Sequence, residues 1–163
     1  MVYEQRGDKD IFYYYNADGQ VTGLKYAGTD YYFTFNSIED IIGIYTEAGV
    51  LKAAYEYNEW GKLVSIKDSS GNSITDGSNI GLINPIRYRG YYYDTETGLF
   101  YVGSRYYNPE WGRFINADST DVLTSSTGVP NWDKNLFAYY DNDPINRVDK
   151  GGAVGAGILS LKL

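Results

Sequence analysis

Short runs rich in aromatic and β-branched residues punctuate the first part of the chain: Ile11–Tyr15, Val21–Tyr26, Tyr31–Phe35, Ile41–Tyr45, Val50–Tyr57 and Lys62–Lys67. Asn, Asp and Gly separate them, the pattern of half-buried strands joined by tight turns. The pattern predicts a β-meander over residues 11–66, with a further turn at Asp68-Ser69-Ser70-Gly71-Asn72. Only Ile38–Ile44 and Lys52–Tyr57, the latter holding Ala53 and Ala54, carry any helical period, and it is weak.

One phrase recurs at the turns: an aromatic residue, Asn or Asp, a few residues, Gly, one residue, then an apolar one. It reads Tyr15-Asn16-Ala17-Asp18-Gly19-Gln20-Val21 and Tyr57-Asn58-Glu59-Trp60-Gly61-Lys62-Leu63. A worn copy, Phe35-Asn36-Ser37-Ile38-Glu39-Asp40-Ile41, lacks the glycine. First-residue spacings are 20 (35 − 15) and 22 (57 − 35). Such a period marks a repeat architecture whose units bury their apolar faces only against one another. The phrase returns at Tyr107-Asn108-Pro109-Glu110-Trp111-Gly112 with one extra residue. Each part has a geometric task. The Asn or Asp accepts the turn's own N–H groups, Gly supplies a positive φ, and the apolar residue restarts the strand on the buried face. Tyr15, Asn16, Gly19, Tyr57, Asn58, Gly61, Tyr107, Asn108 and Gly112 are therefore assigned structural repeat roles. Trp60 and Trp111, before Gly61 and Gly112, are expected to pack as aromatic caps.

Beyond the meander, residues 72–84 are rich in Ser, Gly, Asn and Asp and read as a loop or boundary. Strand, Asp-containing turn and strand follow from Arg87 to Tyr101. Asp118–Pro130 reads as a long polar loop, where Asp118-Ser119-Thr120 suits the start of a short helix. Leu136–Tyr140 is a short apolar run, read as helical after Asp133. The expected organisation is hairpin repeats over 1–71, a boundary at 72–84, a second segment over 85–152 and an apolar tail over 153–163.

Composition narrows the chemistry. The 163 residues contain no Cys and no His, which removes thiol nucleophiles, Ser–His–Asp triads, Cys/His zinc sites and disulfides. No cofactor or metal site is expected. A net charge of −7 argues against a phosphate-backbone partner, so no nucleic acid is expected. Nineteen Tyr against one Met suit thin sheets wet on one side, because the ring packs while the hydroxyl needs water or a partner. The charged start has no apolar run, so no signal peptide is expected, and no stretch is long enough for a membrane span.

Three stretches give a specific resemblance: Arg87-Tyr88-Arg89-Gly90-Tyr91-Tyr92-Tyr93-Asp94-Thr95-Glu96-Thr97-Gly98-Leu99, Ser104-Arg105-Tyr106-Tyr107-Asn108-Pro109-Glu110-Trp111-Gly112-Arg113-Phe114-Ile115-Asn116-Ala117-Asp118, and Asn135-Leu136-Phe137-Ala138-Tyr139-Tyr140-Asp141-Asn142-Asp143-Pro144. They resemble the Rhs repeat-associated core of bacterial Rhs/YD-repeat polymorphic toxins, in the wall-associated wording of Firmicutes, and residues 11–66 resemble the preceding YD repeats. The resemblance implies an all-β fold: YD-type hairpins in a curved sheet, a fragment of a β-spiral shell, with a short helical insertion near the C-terminal part. It implies upstream YD repeats and an enclosed C-terminal toxin as partners, in a secreted or cell-surface protein used for contact-dependent competition. Past Asp149-Lys150-Gly151-Gly152 only 11 residues remain (163 − 152), too few for a toxin. The chain is thus expected to be a fragment or remnant of a larger shell protein.

Two other functions stay open. In several relatives the core is a self-cleaving aspartyl peptidase, and the resemblance assigns Asp118 and Asp133 as its carboxylates. Ala117 stands where an arginine commonly precedes the first of them. The structural alternative is that Asp118 caps a helix and Asp133 orders a loop. The second function is binding of cell-surface glycans by exposed Tyr and Trp, with Tyr91, Tyr92 and Tyr93 presenting rings to both faces of a strand. Arg105 and Arg113 are expected to pair with Asp94, Glu110 or carbonyls.

Overall fold

The computed structural model describes residues 2–6, 8–118, 135–139 and 142–145. The chain divides into two compact units, Met1–Asn58 with Leu63–Gly90, and Glu59–Lys62 with Tyr91–Leu163. The connection Glu59–Lys62 thus belongs to the second unit, and residues 72–84 to the first.

In the first unit the described residues form a seven-stranded antiparallel meander, in which every strand pairs with its sequence neighbours. The strands are β1 (Val2–Arg6), β2 (Lys9–Tyr15), β3 (Val21–Tyr26), β4 (Thr29–Phe35), β5 (Ile41–Thr46), β6 (Leu51–Tyr57) and β7 (Leu63–Lys67). Alternation puts Ile11, Tyr13, Leu24, Phe33, Ile44, Ala53, Tyr55 and Ile66 on one buried face. The register aligns them as cross-strand neighbours: Tyr13 with Leu24, Phe33 with Ile44, Ile44 with Ala53, and Tyr55 with Ile66. The other face carries Tyr14 and Tyr32, whose rings lie 6.4 Å apart, and the ion pairs Lys25–Asp30 (3.7 Å) and Lys67–Glu56 (2.8 Å).

The sheet begins ahead of the meander read over residues 11–66, within the hairpin repeats expected over 1–71. The charged start is a strand: β1 runs against β2, with Tyr3 packed on Phe12 at 5.3 Å. Neither weak helical stretch is a helix, since Lys52–Tyr57 lies within β6, and Ile38–Ile44 is a turn running into β5. Ala53 is small for a different reason. A helical turn, α1 (Ile80–Ile83), lies against it inside the stretch read as loop. A Cβ placed on Gly81 would come within 2.5 Å of the Ala53 Cβ and 3.1 Å of Ile66 Cγ2, so both residues must be small. Asn79 caps this turn by accepting the Gly81 N–H at 2.8 Å.

The second unit holds a four-stranded antiparallel sheet of β8 (Tyr92–Asp94), β9 (Leu99–Val102), β10 (Arg105–Asn108) and β11 (Arg113–Phe114), in sequential order. The described residues 135–139 add a bridge from Ala138 to Arg113 at the β11 edge. This is a turn and not the helix read over Leu136–Tyr140. Asn135 Oδ1 accepts the Phe137 N–H and Asn135 O accepts the Ala138 N–H, both at 3.0 Å, which closes the turn, and Phe137 O accepts the Phe114 N–H at 3.0 Å. Asp133 and the residues that follow Asp118 up to 134 lie outside the described residues. No helix among the described residues is long and apolar enough to cross a membrane.

Candidate functional site

The repeat phrase forms one turn, used over and over. Among the described residues, the turns starting at Asn16, Asn36, Thr46 and Asp68 share a pair of backbone hydrogen bonds. The fourth residue's N–H donates to the first carbonyl, and the first residue's N–H donates to the fifth carbonyl, as in Gly19 to Asn16 (3.1 Å) and Asn16 to Gln20 (3.0 Å). The fourth position has positive φ each time: Gly19 (80°), Glu39 (70°), Gly49 (74°) and Gly71 (84°). This is a tight turn followed by a left-handed residue, which adds a bulge to the hairpin. The first side chain completes it. Asn16 Oδ1 accepts from the Asp18 and Gln20 N–H groups (3.0 and 2.9 Å), and Asn36 Oδ1 from Ile38 and Asp40 (3.1 and 2.9 Å). Asp68 Oδ1 does the same for Ser70 and Asn72 (2.8 and 2.9 Å), and these N–H donors, Asn72 first, hold its carboxyl below the usual range. The glycine lost from the worn copy is replaced by Glu39 in the left-handed region, so the geometry survived the sequence.

Other phrase residues take related positions. Tyr15 ends β2 and is exposed, while Tyr57 ends β6 and donates through Oη to Ile41 O at 3.0 Å. Gly61 has φ 79° and follows Asn58 by three positions, matching Gly19 after Asn16. In the second unit Asn108 Oδ1 accepts from the Glu110 and Trp111 N–H groups (2.8 and 3.2 Å), and Gly112 has φ 63°. Tyr107 is fully buried and donates to Trp60 O at 2.7 Å.

A buried polar site in the first unit escaped the sequence reading. Asp40 is 4% exposed and accepts from Asn36 Nδ2 (2.7 Å) and the Arg89 N–H (3.1 Å), with the Arg89 guanidinium Nε 3.6 Å away. Arg89 holds a left-handed φ of 54° and donates to Ile38 O at 3.0 Å. Burial raises the Asp40 carboxyl, while Asn36 and Arg89 oppose the rise. Beside it, Asn84 bonds Ile86 on both sides, and Arg87 donates to Asn84 O (3.1 Å) and Leu82 O (3.2 Å). Burial pushes the Tyr55 hydroxyl up to about 12, so it stays protonated and donates to Gly81 O at 2.7 Å. The only sequence signal was a pair of arginines, Arg87 and Arg89, inside an apolar run.

In the second unit Asp118 faces Arg105. Asp118 Oδ2 lies 3.2 Å from the Arg105 guanidinium, and both side chains are buried. Arg105 also donates to Leu136 O at 3.1 Å and stacks 3.5 Å above the Phe114 ring. The Asp118 N–H donates to the same Leu136 carbonyl at 2.9 Å. Arg105 thus pairs with Asp118 and, as expected, with a carbonyl, and Glu110 pairs with Lys62 at 2.8 Å. The arrangement clamps strand β10, the stretch after β11 and residue 136 together through charge-assisted bonds.

A family model described as Teneurin YD-shell matches residues 1–145. The chain belongs to this family. It is 34% identical over 154 residues to the tRNA3(Ser)-specific nuclease WapA of Bacillus spizizenii, an alignment covering 93% of this chain and 6% of that protein. It is 34% identical over 110 residues to Double-stranded DNA deaminase toxin A of Burkholderia cenocepacia, covering 68% of this chain and 7% of that protein. Toxin protein Tse5 of Pseudomonas aeruginosa is 39% identical over 70 residues, 43% of this chain and 5% of that protein. The chain therefore spans a small part of each relative. Its fold is similar to that of TcdB2-TccC3, with a TM-score of 0.66 at 22% identity over 88% of this chain and 7% of that one. The Photorhabdus luminescens Tc holotoxin pore gives 0.67 at 23% identity over 91% of this chain and 6% of that one. The Rhs/YD resemblance and the antiparallel all-β fold read from the sequence both hold.

Proposed function

We propose that this chain is a stretch of shell wall with its closing core, which in a larger protein encloses and presents a C-terminal toxin. One observation carries this reading. Relatives that share the stretch are named for a tRNA nuclease, a DNA deaminase and a toxin. A segment common to proteins of unrelated chemistry serves carriage, not the reaction. Residues 1–71 are then wall rungs, 72–84 a boundary, 85–152 the core and 153–163 a linker stub. Upstream YD repeats continue the sheet along β1, and the larger protein is secreted or displayed at the cell surface.

The test uses a larger protein carrying this chain ahead of a toxin domain. Limited proteolysis should spare the toxin in the native protein, and Ile44→Pro, which removes a ladder hydrogen bond mid-sheet, should expose it. Equal cleavage in both would overturn the enclosure.

The pairing of Asp118 with Arg105 favours a clamp over a catalytic carboxylate. Self-cleavage through Asp118 and Asp133 has a separate test: a C-terminal tag extension cut in wild type and not in Asp118→Asn supports it, and an uncut tag in both removes it. Exposed Tyr32 and Tyr101 keep glycan contact as a further partner class. Titration with cell-wall glycans that shifts neither ring would dismiss it.

A further inference from the structure

The sequence Glu59-Trp60-Gly61-Lys62 returns as Glu110-Trp111-Gly112-Arg113. Within the second unit the first copy docks on the second. The Trp60 indole lies against Gly112, where a Cβ would stand 2.8 Å from Cε3 and 3.0 Å from Cδ2. Lys62 Nζ reaches Glu110 Oε2 at 2.8 Å, and the Trp60 carbonyl accepts the Tyr107 hydroxyl at 2.7 Å. One copy therefore supplies a ring and a cation. The other supplies a bare glycine Cα and a carboxylate two residues before it.

The second copy carries its own ring and cation in the same positions. Trp111 is 67% exposed, and Arg113 is exposed as well. Trp and Arg are both residue types enriched at binding hot spots, and here the two stand exposed two positions apart.

We propose that Trp111 and Arg113 form a docking knob for a hairpin turn on a partner polypeptide, one with a positive-φ glycine and a glutamate two residues before it. Trp111 covers the bare glycine as Trp60 covers Gly112. Arg113 meets the partner's glutamate as Lys62 meets Glu110, with the added option of a bidentate pair. Glycine is required twice over: for the left-handed backbone, and because a methyl group would occupy the indole's place. The inference stands apart from toxin enclosure, since it concerns which turn fits the exposed ring.

The probe is a backbone-cyclised peptide of residues 105–114, the turn on which Trp60 is seen to rest. The protein is labelled with 5-fluorotryptophan, which keeps all three Trp in place. The Trp111 resonance is assigned by Trp111→Phe. Titration with the peptide should shift that resonance saturably. A peptide with Gly112→Ala should bind at least about tenfold more weakly, as should the Arg113→Glu protein. Peptide Glu110→Gln should weaken binding a few-fold at low salt and less at high salt. An unmoved Trp111 resonance would overturn the proposal. So would the same shift with the Gly112→Ala peptide, or a shift that follows protein concentration alone.

Discussion

The two units solve the same problem in opposite ways. In the first, long strands each pair only with their sequence neighbours, and one turn recurs at Asn16, Asn36, Thr46 and Asp68. Its apolar contacts are spread along a row from Ile11 to Ile66, so no single residue holds the sheet. In the second, short strands converge on one ring. Tyr107 stacks on Tyr139 at 3.8 Å, lies 5.8 Å from Phe114 and 6.4 Å from Phe100, and hydrogen-bonds Trp60 O. A wall can be lengthened rung by rung when its stability is distributed. A sheet whose strands run only two to four residues needs a concentrated centre instead.

The contrast predicts a steep difference in sensitivity. Tyr107→Ala should cost about 4 kcal/mol, measured by urea unfolding, because it removes a buried ring from three aromatic neighbours. Tyr107→Phe should cost only about 1 kcal/mol, the net worth of its hydrogen bond. Next comes the ion pair. Asp118→Asn leaves Arg105 buried beside a neutral group, with an expected loss on the order of 3 kcal/mol. If both losses fall below those of single substitutions in the meander, the second unit has no such centre.

Smaller effects probe the distributed half. Asn16→Ala removes two acceptor contacts from an exposed turn and should cost about 1 kcal/mol, with little effect on the other rungs. Glu39→Gly should stabilise by about 1 kcal/mol, since Glu39 sits at φ 70° where glycine carries no side-chain penalty. A loss of stability in that variant would mean the worn copy is held for its side chain, not its backbone.

The smallest effect concerns pH. Burial lifts the Asp40 carboxyl above its ordinary value of 3.8. The folded chain then binds this proton more tightly than the unfolded chain. Its stabilising contribution is complete below the ordinary value and is lost as pH rises through the folded one. Asp40→Asn should flatten the pH dependence of unfolding just above 3.8. An unchanged profile would place the titration elsewhere.

Much of the meander was legible because its signals are local. The strand runs and the Asn…Gly turns each lie within a few residues, and β2 to β7 match them closely at their ends. Glu39 shows the limit in one direction: the glycine is gone from the sequence, yet the turn persists because its neighbours impose it. Asp40 and Arg89 show the limit in the other. They are 49 positions apart, and nothing nearby marks Asp40 as buried. The helical turn Ile80–Ile83 was hidden because Gly81 and Ala53 are small for each other's sake, a contact between distant segments. Asp118 was chosen as a carboxylate of interest, but the partner that gives it a role is an arginine on a strand 13 residues earlier (118 − 105).

Register is the property on which the wall depends, and the absence of native cysteine makes it directly measurable. Cysteines placed at Tyr32 and Tyr45, opposite one another in β4 and β5, should oxidise to a disulfide, as should a pair at Ala54 and Lys67 across β6 and β7. Cysteines at Tyr32 and Ile44 are one residue out of step and face opposite sides of the sheet, so they should stay reduced. Equal oxidation of the matched and slipped pairs would contradict a fixed ladder of hairpins.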